Sequence, residues 1–139
     1  MEPVYWDTSA LLSVFLQDVH SSEAGRWLNR DCAHLISSLA CAEFYANIGR
    51  LSREGSLTAI EADRLVATFL RQPFRRIQAD PDNGLLWALA SRNRLRGADL
   101  WHLAMAKSLA LDLPEIVLLS FDLRLSEAAA AEGLATVGA

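Results

Sequence analysis

Four acidic residues stand at the breaks between apolar segments of this chain. They are Asp7 in Val4-Tyr5-Trp6-Asp7-Thr8-Ser9, Glu43 in Ala42-Glu43-Phe44, Asp99 in Gly97-Ala98-Asp99-Leu100 and Asp122 in Leu119-Ser120-Phe121-Asp122. Carboxylates gathered on one edge of a fold repel one another and destabilise it unless a cation offsets their charge, so convergence of the four implies metal. An all-oxygen donor set selects hard ions, Mg2+ or Mn2+, that retain several waters. Such a cage is suited to phosphodiester hydrolysis, in which a bound ion activates water and offsets charge on the phosphate.

Taken singly, each aspartate has an ordinary alternative. Asp7, Asp99 and Asp122 each precede a predicted helix, where a short carboxylate accepts from unpaired backbone N–H groups and stabilises by about 0.5–2 kcal/mol. Glu43 does not fit that account, because it lies past the first turn of its predicted helix; its ordinary alternative is an exposed position on the polar face. A helix N-terminus can also orient one carboxylate oxygen while the other faces an ion, so the two roles are compatible.

The elements that must position these acids alternate along the chain. Val4 to Trp6 reads as a short strand, Thr8 to Leu16 as a helix with Leu11, Leu12, Phe15 and Leu16 apolar, and Ser21 to Asn29 as a second helix. His34 to Ser37 is the next strand, followed by a helix from Ser38 that stops near Gly55. Thr58 with Glu61 three residues on is a capping-box pattern opening a helix with Leu65, Phe69 and Leu70 on its apolar face, ended by Pro73. Phe74 to Gln78 is a weakly alternating strand, Pro81 to about Leu95 a helix broken by Gly97, and Asp99 to Ala110 a helix that Pro114 closes. Ile116 to Leu119 is a near-continuous apolar run, as in a strand buried on both faces. Leu123 to Glu132 is the last helix, Gly133 ends it, and Leu134 to Val137 is a final short strand.

Strands alternating with helices predict an α/β domain with a mainly parallel sheet covered on both faces. Ligands in such folds bind beyond the carboxyl ends of the strands, the edge on which Asp7 and Asp122 would fall. At 139 residues and 52% hydrophobic, one domain spanning residues 1–139 is expected. No uninterrupted apolar run reaches the roughly 18 residues needed to cross a bilayer, and Met1-Glu2-Pro3 lacks the basic lead and apolar stretch of a signal peptide; a cytoplasmic location is expected. Cys32 and Cys41 have no partners at zinc-site spacing and read as two buried or half-buried thiols.

The formal net charge of -4 argues superficially against a nucleic-acid partner. Setting aside the four acids leaves 17 − 4 = 13 acidic residues against 13 basic ones, a neutral remainder. Twelve of the basic residues are arginine and one, Lys107, is lysine, a bias that suits planar contact with phosphate. Arg92, Arg94 and Arg96 alternate just before Asp99; they are candidate RNA contacts or a solvated helix end.

In sequence order, Asp-Thr-Ser-Ala-Leu-Leu (Asp7 to Leu12), Ser-Leu-Ala-Cys-Ala-Glu-Phe (with Glu43), Gly-Ala-Asp-Leu-Trp-His-Leu-Ala-Met-Ala (with Asp99) and Leu-Ser-Phe-Asp-Leu-Arg-Leu (with Asp122) resemble the four acidic motifs of PIN-domain endoribonucleases. Across its whole length the chain looks like the VapC-type toxin of a type II toxin–antitoxin pair. The resemblance implies a three-layer α/β/α PIN-like domain that hydrolyses single-stranded regions of RNA, with Asp7, Glu43, Asp99 and Asp122 holding one or two Mg2+ (or Mn2+) ions, directly or through water. Thr8, Ser9 and Ser120 are candidate supporting donors, and Ser120 stands where a Thr is commoner. Water as nucleophile would leave a 5'-phosphate and a 3'-hydroxyl. The implied partners are RNA, a cognate antitoxin protein and a second copy in a homodimer, with no membrane. The antitoxin's groove would include Phe15, Leu16, Trp27 and Leu28.

Competing chemistries lack their residues. A phosphate-accepting receiver domain needs a lysine after its last core strands, whereas Lys107 lies within a predicted helix. A dinucleotide-binding unit needs a glycine-rich turn, and Asp7 to Leu12 contains no glycine. A phosphohydrolase with a nucleophilic first Asp needs a carboxylate two residues later, where Ser9 stands. The remaining alternative is a catalytically silent PIN-fold binding or scaffold module, against which the intact acids argue. His20, His34 and His102 read as core or rim histidines, His102 falling on the same helix side as Asp99. Trp27, Trp87 and Trp101 read as core packing.

Overall fold

A computed structural model gives the structure of residues 2–139. The chain runs β1 (Val4–Trp6), α1 (Thr8–Phe15), α2 (Ser21–Leu28), β2 (His34–Ser37), α3 (Ser38–Arg53), α4 (Ala59–Arg71), β3 (Phe74–Ile77), α5 (Asn83–Arg92), α6 (Gly97–Asp112), β4 (Val117–Ser120), α7 (Leu123–Ala131) and β5 (Ala135–Gly138). All four strand pairings are parallel, in the order β3-β2-β1-β4-β5. Two neighbouring strands, β1 and β4, therefore send the chain in opposite directions, and the crevice between their carboxyl ends is the switch point where open α/β sheets bind ligands.

Residues alternating along the buried strands sort onto two faces. Val4, Trp6, Ile36 and Leu119 pack with α1 to α4, whose buried contributors include Leu11, Phe44, Ile48 and Phe69. Tyr5, Leu35 and Leu118 pack on the other face with Leu89 of α5, Leu103 and Met105 of α6, and Leu125 of α7. The result is the three-layer α/β/α arrangement with a parallel central sheet. Among the described residues no helix is long and apolar enough to cross a membrane.

Local chemistry sets the boundaries. The Thr58–Glu61 capping box forms in both directions at the start of α4, and Gly133 leaves α7 at a positive φ of 85° that an L side chain rarely adopts.

Three expectations are corrected. Gly97 opens α6 rather than separating it from the helix before, because Arg96 takes the extended N-cap conformation; Asp99 thus lies inside the first turn and is not the cap. Trp87 is 74% exposed, not core, and Leu70 is 68% exposed although its neighbour Phe69 is buried. Trp27 and Trp101 are partly buried against the two cores, and Cys32 and Cys41 are free thiols, half-buried and buried.

Candidate metal centre

β1 ends at Trp6 and delivers Asp7 to the switch point, where it caps α1. One oxygen, Oδ1, accepts from Ala10 N at 2.8 Å and from Ser9 Oγ at 2.7 Å. The other, Oδ2, accepts from Ser120 Oγ at 2.6 Å. Asp7 is only 2% exposed. Burial raises its pKa above the ordinary 3.8 even though Ser120, Ala10 and Ser9 all donate to it.

β4 ends at Ser120, whose hydroxyl also accepts from Asp122 N at 3.0 Å. Asp122 caps α7 through Oδ1, which accepts from Leu125 N at 2.9 Å. Ser9 Oγ accepts from Phe121 N at 3.0 Å. Ser9 and Ser120 thereby stitch the end of β1 to the end of β4 and fix Asp7 and Asp122 on either side of the crevice.

Glu43 reaches the same edge from α3. Its Oε1 accepts from Thr8 Oγ1 at 2.6 Å, with His102 Nε2 3.6 Å away. His102 beside it is the largest influence holding Glu43 below the ordinary carboxylate range, ahead of Thr8 and against the opposing effect of burial. At 3.6 Å the His102 contact is an ionic-range approach; the ring's hydrogen bond is to Thr8 Oγ1, at 3.1 Å.

Asp99 lies in the first turn of α6. Burial raises its pKa most, and Asp122, Asp7 and Glu43 add to the rise by like-charge repulsion. Asp99 thus senses all three of the other acids. Among the described residues no three His, Cys, Asp or Glu side chains are close enough to ligate one ion together. Mg2+ keeps several waters and takes only one or two carboxylates directly, so an oxygen-only donor set under mutual repulsion suits a hydrated hard cation.

His102 is the residue that sequence reasoning undervalued. It is 1% exposed and hydrogen-bonded through Nδ1 to the Tyr5 hydroxyl at 2.7 Å. Its three-residue spacing from Asp99 was the available signal; Tyr5 and Thr8 as its partners were not visible. His34, by contrast, is a core histidine held by Trp6 Nε1 at 3.1 Å and the Arg30 carbonyl at 2.9 Å. The arginines divide. Arg92 is engaged by Glu132 at 2.7 Å and shares with Arg94 and Arg124 the wall of a cavity of about 370 Å3, and Arg96 is exposed at the start of α6. Phe15 and Leu16 line a different cavity of about 330 Å3 against Leu57 and Leu65 of the α4 region, while Trp27 borders one of about 440 Å3 with Val4 and Cys32.

The structure is an all-parallel α/β domain with Asp7 and Asp122 tied together by Ser120 at its switch point. The chain belongs to the PIN-domain family, whose model matches residues 4–131. No curated protein sequence matches it significantly. Its fold is similar to that of PAE2754 from Pyrobaculum aerophilum, with a TM-score of 0.72 and 19% identity over 98% of this chain and 90% of that one. It is also similar to VapBC2 from Rickettsia felis, described as bound to a DNA fragment from their promoter, with a TM-score of 0.69 and 13% identity over 97% of each chain. VapC20 of Mycobacterium tuberculosis, described as a sarcin-ricin loop cleaving toxin, gives a TM-score of 0.64 and 18% identity over 98% of each chain.

Proposed function

We propose that the protein is a divalent-metal-dependent endoribonuclease that cuts single-stranded regions of RNA, and that it acts in the cytoplasm as the VapC-type toxin of a toxin–antitoxin pair. The observation that carries the reading is the meeting of Asp7 and Asp122 at the ends of β1 and β4, where the Ser120 hydroxyl donates to Asp7 Oδ2 and accepts from Asp122 N, in a chain whose residues 4–131 match the PIN-domain model. When bound, one or two Mg2+ or Mn2+ ions would lower the pKa of an attacking water and offset charge on the scissile phosphate and leaving oxygen.

The chain's own residues supply position. Ser9 and Ser120 hold Asp7 with both oxygens satisfied, and the backbone of α7 holds Asp122. Arg94 and Arg124 line one cavity and Arg96 is the N-cap of α6; they suit contact with RNA phosphates, while Arg92 is already paired. Family membership supports nuclease chemistry, and the toxin description of VapC20 supports the biological role. An antitoxin segment seated against Phe15 and Leu16, and a homodimer, belong to the same reading.

Purified protein should cleave single-stranded RNA with Mg2+ and not with chelator, leaving 5'-phosphate ends, and Asp99→Asn should abolish cleavage while remaining folded. Equal cleavage by wild type and Asp99→Asn would overturn the assignment.

A further inference from the structure

Two of the four acids are fixed by the main chain. Asp7 accepts from Ala10 N and Asp122 from Leu125 N, so the helices they cap set their orientation. Glu43 has a longer side chain with 34% exposure, and its hydrogen bond comes from a side chain, Thr8. What orients Thr8 therefore orients Glu43. A threonine hydroxyl carries one proton, and the 2.6 Å contact commits it to the Glu43 carboxylate, where a charge-assisted bond is strongest. Thr8 Oγ1 must then accept at its 3.1 Å contact with His102, which places a proton on Nε2 of the ring. On the other side of the ring Nδ1 lies 2.7 Å from the Tyr5 hydroxyl, close enough to take its proton in a hydrogen bond.

We propose that His102 is a positioning residue for Glu43, acting through a one-directional relay from Tyr5 O–H to His102 Nδ1, from Nε2–H to Thr8 Oγ1, and from Thr8 O–H to Glu43 Oε1. The four members come from β1, α6, α1 and α3. Tyr5 belongs to the core beneath α5 to α7, whereas α1 and α3 cover the opposite face. The relay spans the sheet edge and ties Glu43's rotamer to α6, the helix that carries Asp99. Its metal consequence rests on the proposed nuclease reading; the relay itself rests on the hydrogen-bond geometry.

Outer partners of this kind are worth about 10- to 100-fold in metal affinity. Mn2+ titration followed by electron paramagnetic resonance should show binding weakened at least about tenfold in Thr8→Val and in His102→Leu. Thr8→Ser and His102→Gln, which restore a hydroxyl and an amide donor near the Nε2 position, should recover most of it. In a Glu43→Gln background the His102→Leu loss should disappear, which a general loss of packing would not do. Long-range proton–nitrogen NMR of the metal-free protein should report His102 as the neutral Nε2–H tautomer. An Nδ1–H tautomer, or equal His102→Leu losses with and without Glu43, would overturn the relay while leaving the nuclease reading intact. Absence of Mn2+ binding by wild type would overturn the metal reading and the relay's function together, with the tautomer still reporting on its geometry.

Discussion

Replacing Ser120 with alanine removes one hydroxyl that serves both sides of the switch point. That hydroxyl donates to Asp7 Oδ2 at 2.6 Å and accepts from Asp122 N at 3.0 Å, and Ser120 is fully buried. A hydrogen bond to a charged group contributes about 1.5–3 kcal/mol, and an orphaned N–H adds about 1 kcal/mol. The expected loss at neutral pH is therefore about 2.5–4 kcal/mol, or roughly 9–14 °C in Tm for a domain of this size. The loss should depend on pH. Asp7 already has a raised pKa from burial, so its charged form destabilises the folded state above that pKa, and the penalty is relieved as pH falls through it. Losing the Ser120 donor raises the pKa further, so the deficit of Ser120→Ala should be greatest at alkaline pH and shrink as pH falls. Ser120→Thr, which keeps the hydroxyl, should lose little. Urea unfolding across pH 5–8 reads the effect. A deficit below about 0.5 kcal/mol, or one independent of pH, would refute the claim that Ser120 holds Asp7 as a carboxylate.

Other substitutions probe the frame around the acids. A Cβ at Gly138, whose φ is +108°, would collide with the Ser120 carbonyl oxygen and touch Phe121, so Gly138→Ala should cost more than about 2 kcal/mol and weaken metal binding through Ser120, read by Tm and Mn2+ titration. Glu132 accepts from Arg92 at 2.7 and 2.8 Å, Asn93 at 3.0 Å and Lys107 at 2.9 Å, which holds its carboxyl far below the ordinary 4.5. Such a depressed acid stabilises above its unfolded pKa, and the benefit is lost as pH falls through the folded one. Glu132→Gln should therefore lower Tm by a few degrees at pH 7, and the difference should shrink below about pH 4. Asp99→Asn should raise the metal-free Tm at pH 7, because it removes a raised-pKa carboxylate that repels its neighbours. That gain should fade as pH drops, since protonation relieves the same repulsion in wild type; a lower Tm for the variant at pH 7 would contradict it.

The alternation of strands and helices was legible because each period is short and punctuated by Pro, Gly or a capping pair. The three-layer parallel fold followed from that order. The sequence placed Asp7 and Asp122 on one edge because each follows a strand closely. Trp87 misled because α5 reads Leu85-Leu86-Trp87-Ala88-Leu89-Ala90, nearly apolar throughout, so periodicity does not select a buried face. Asp99 misled by resembling a cap when Arg96 had already taken the extended position. Arg92 looked free because Glu132, forty residues on, is brought to it by α7. The His102 relay was hidden for the same reason: its partners Tyr5 and Thr8 are about 95 residues distant in sequence, and no local pattern encodes which way a buried ring turns.

That the four acids form one metal site is tested most directly by calorimetric titration of Mn2+ into wild type and into Asp7→Asn, Glu43→Gln, Asp99→Asn and Asp122→Asn. Saturable binding by wild type, weakened by each of the four substitutions in a protein that stays folded, is the predicted result. Affinity unchanged across the four variants would contradict a shared site.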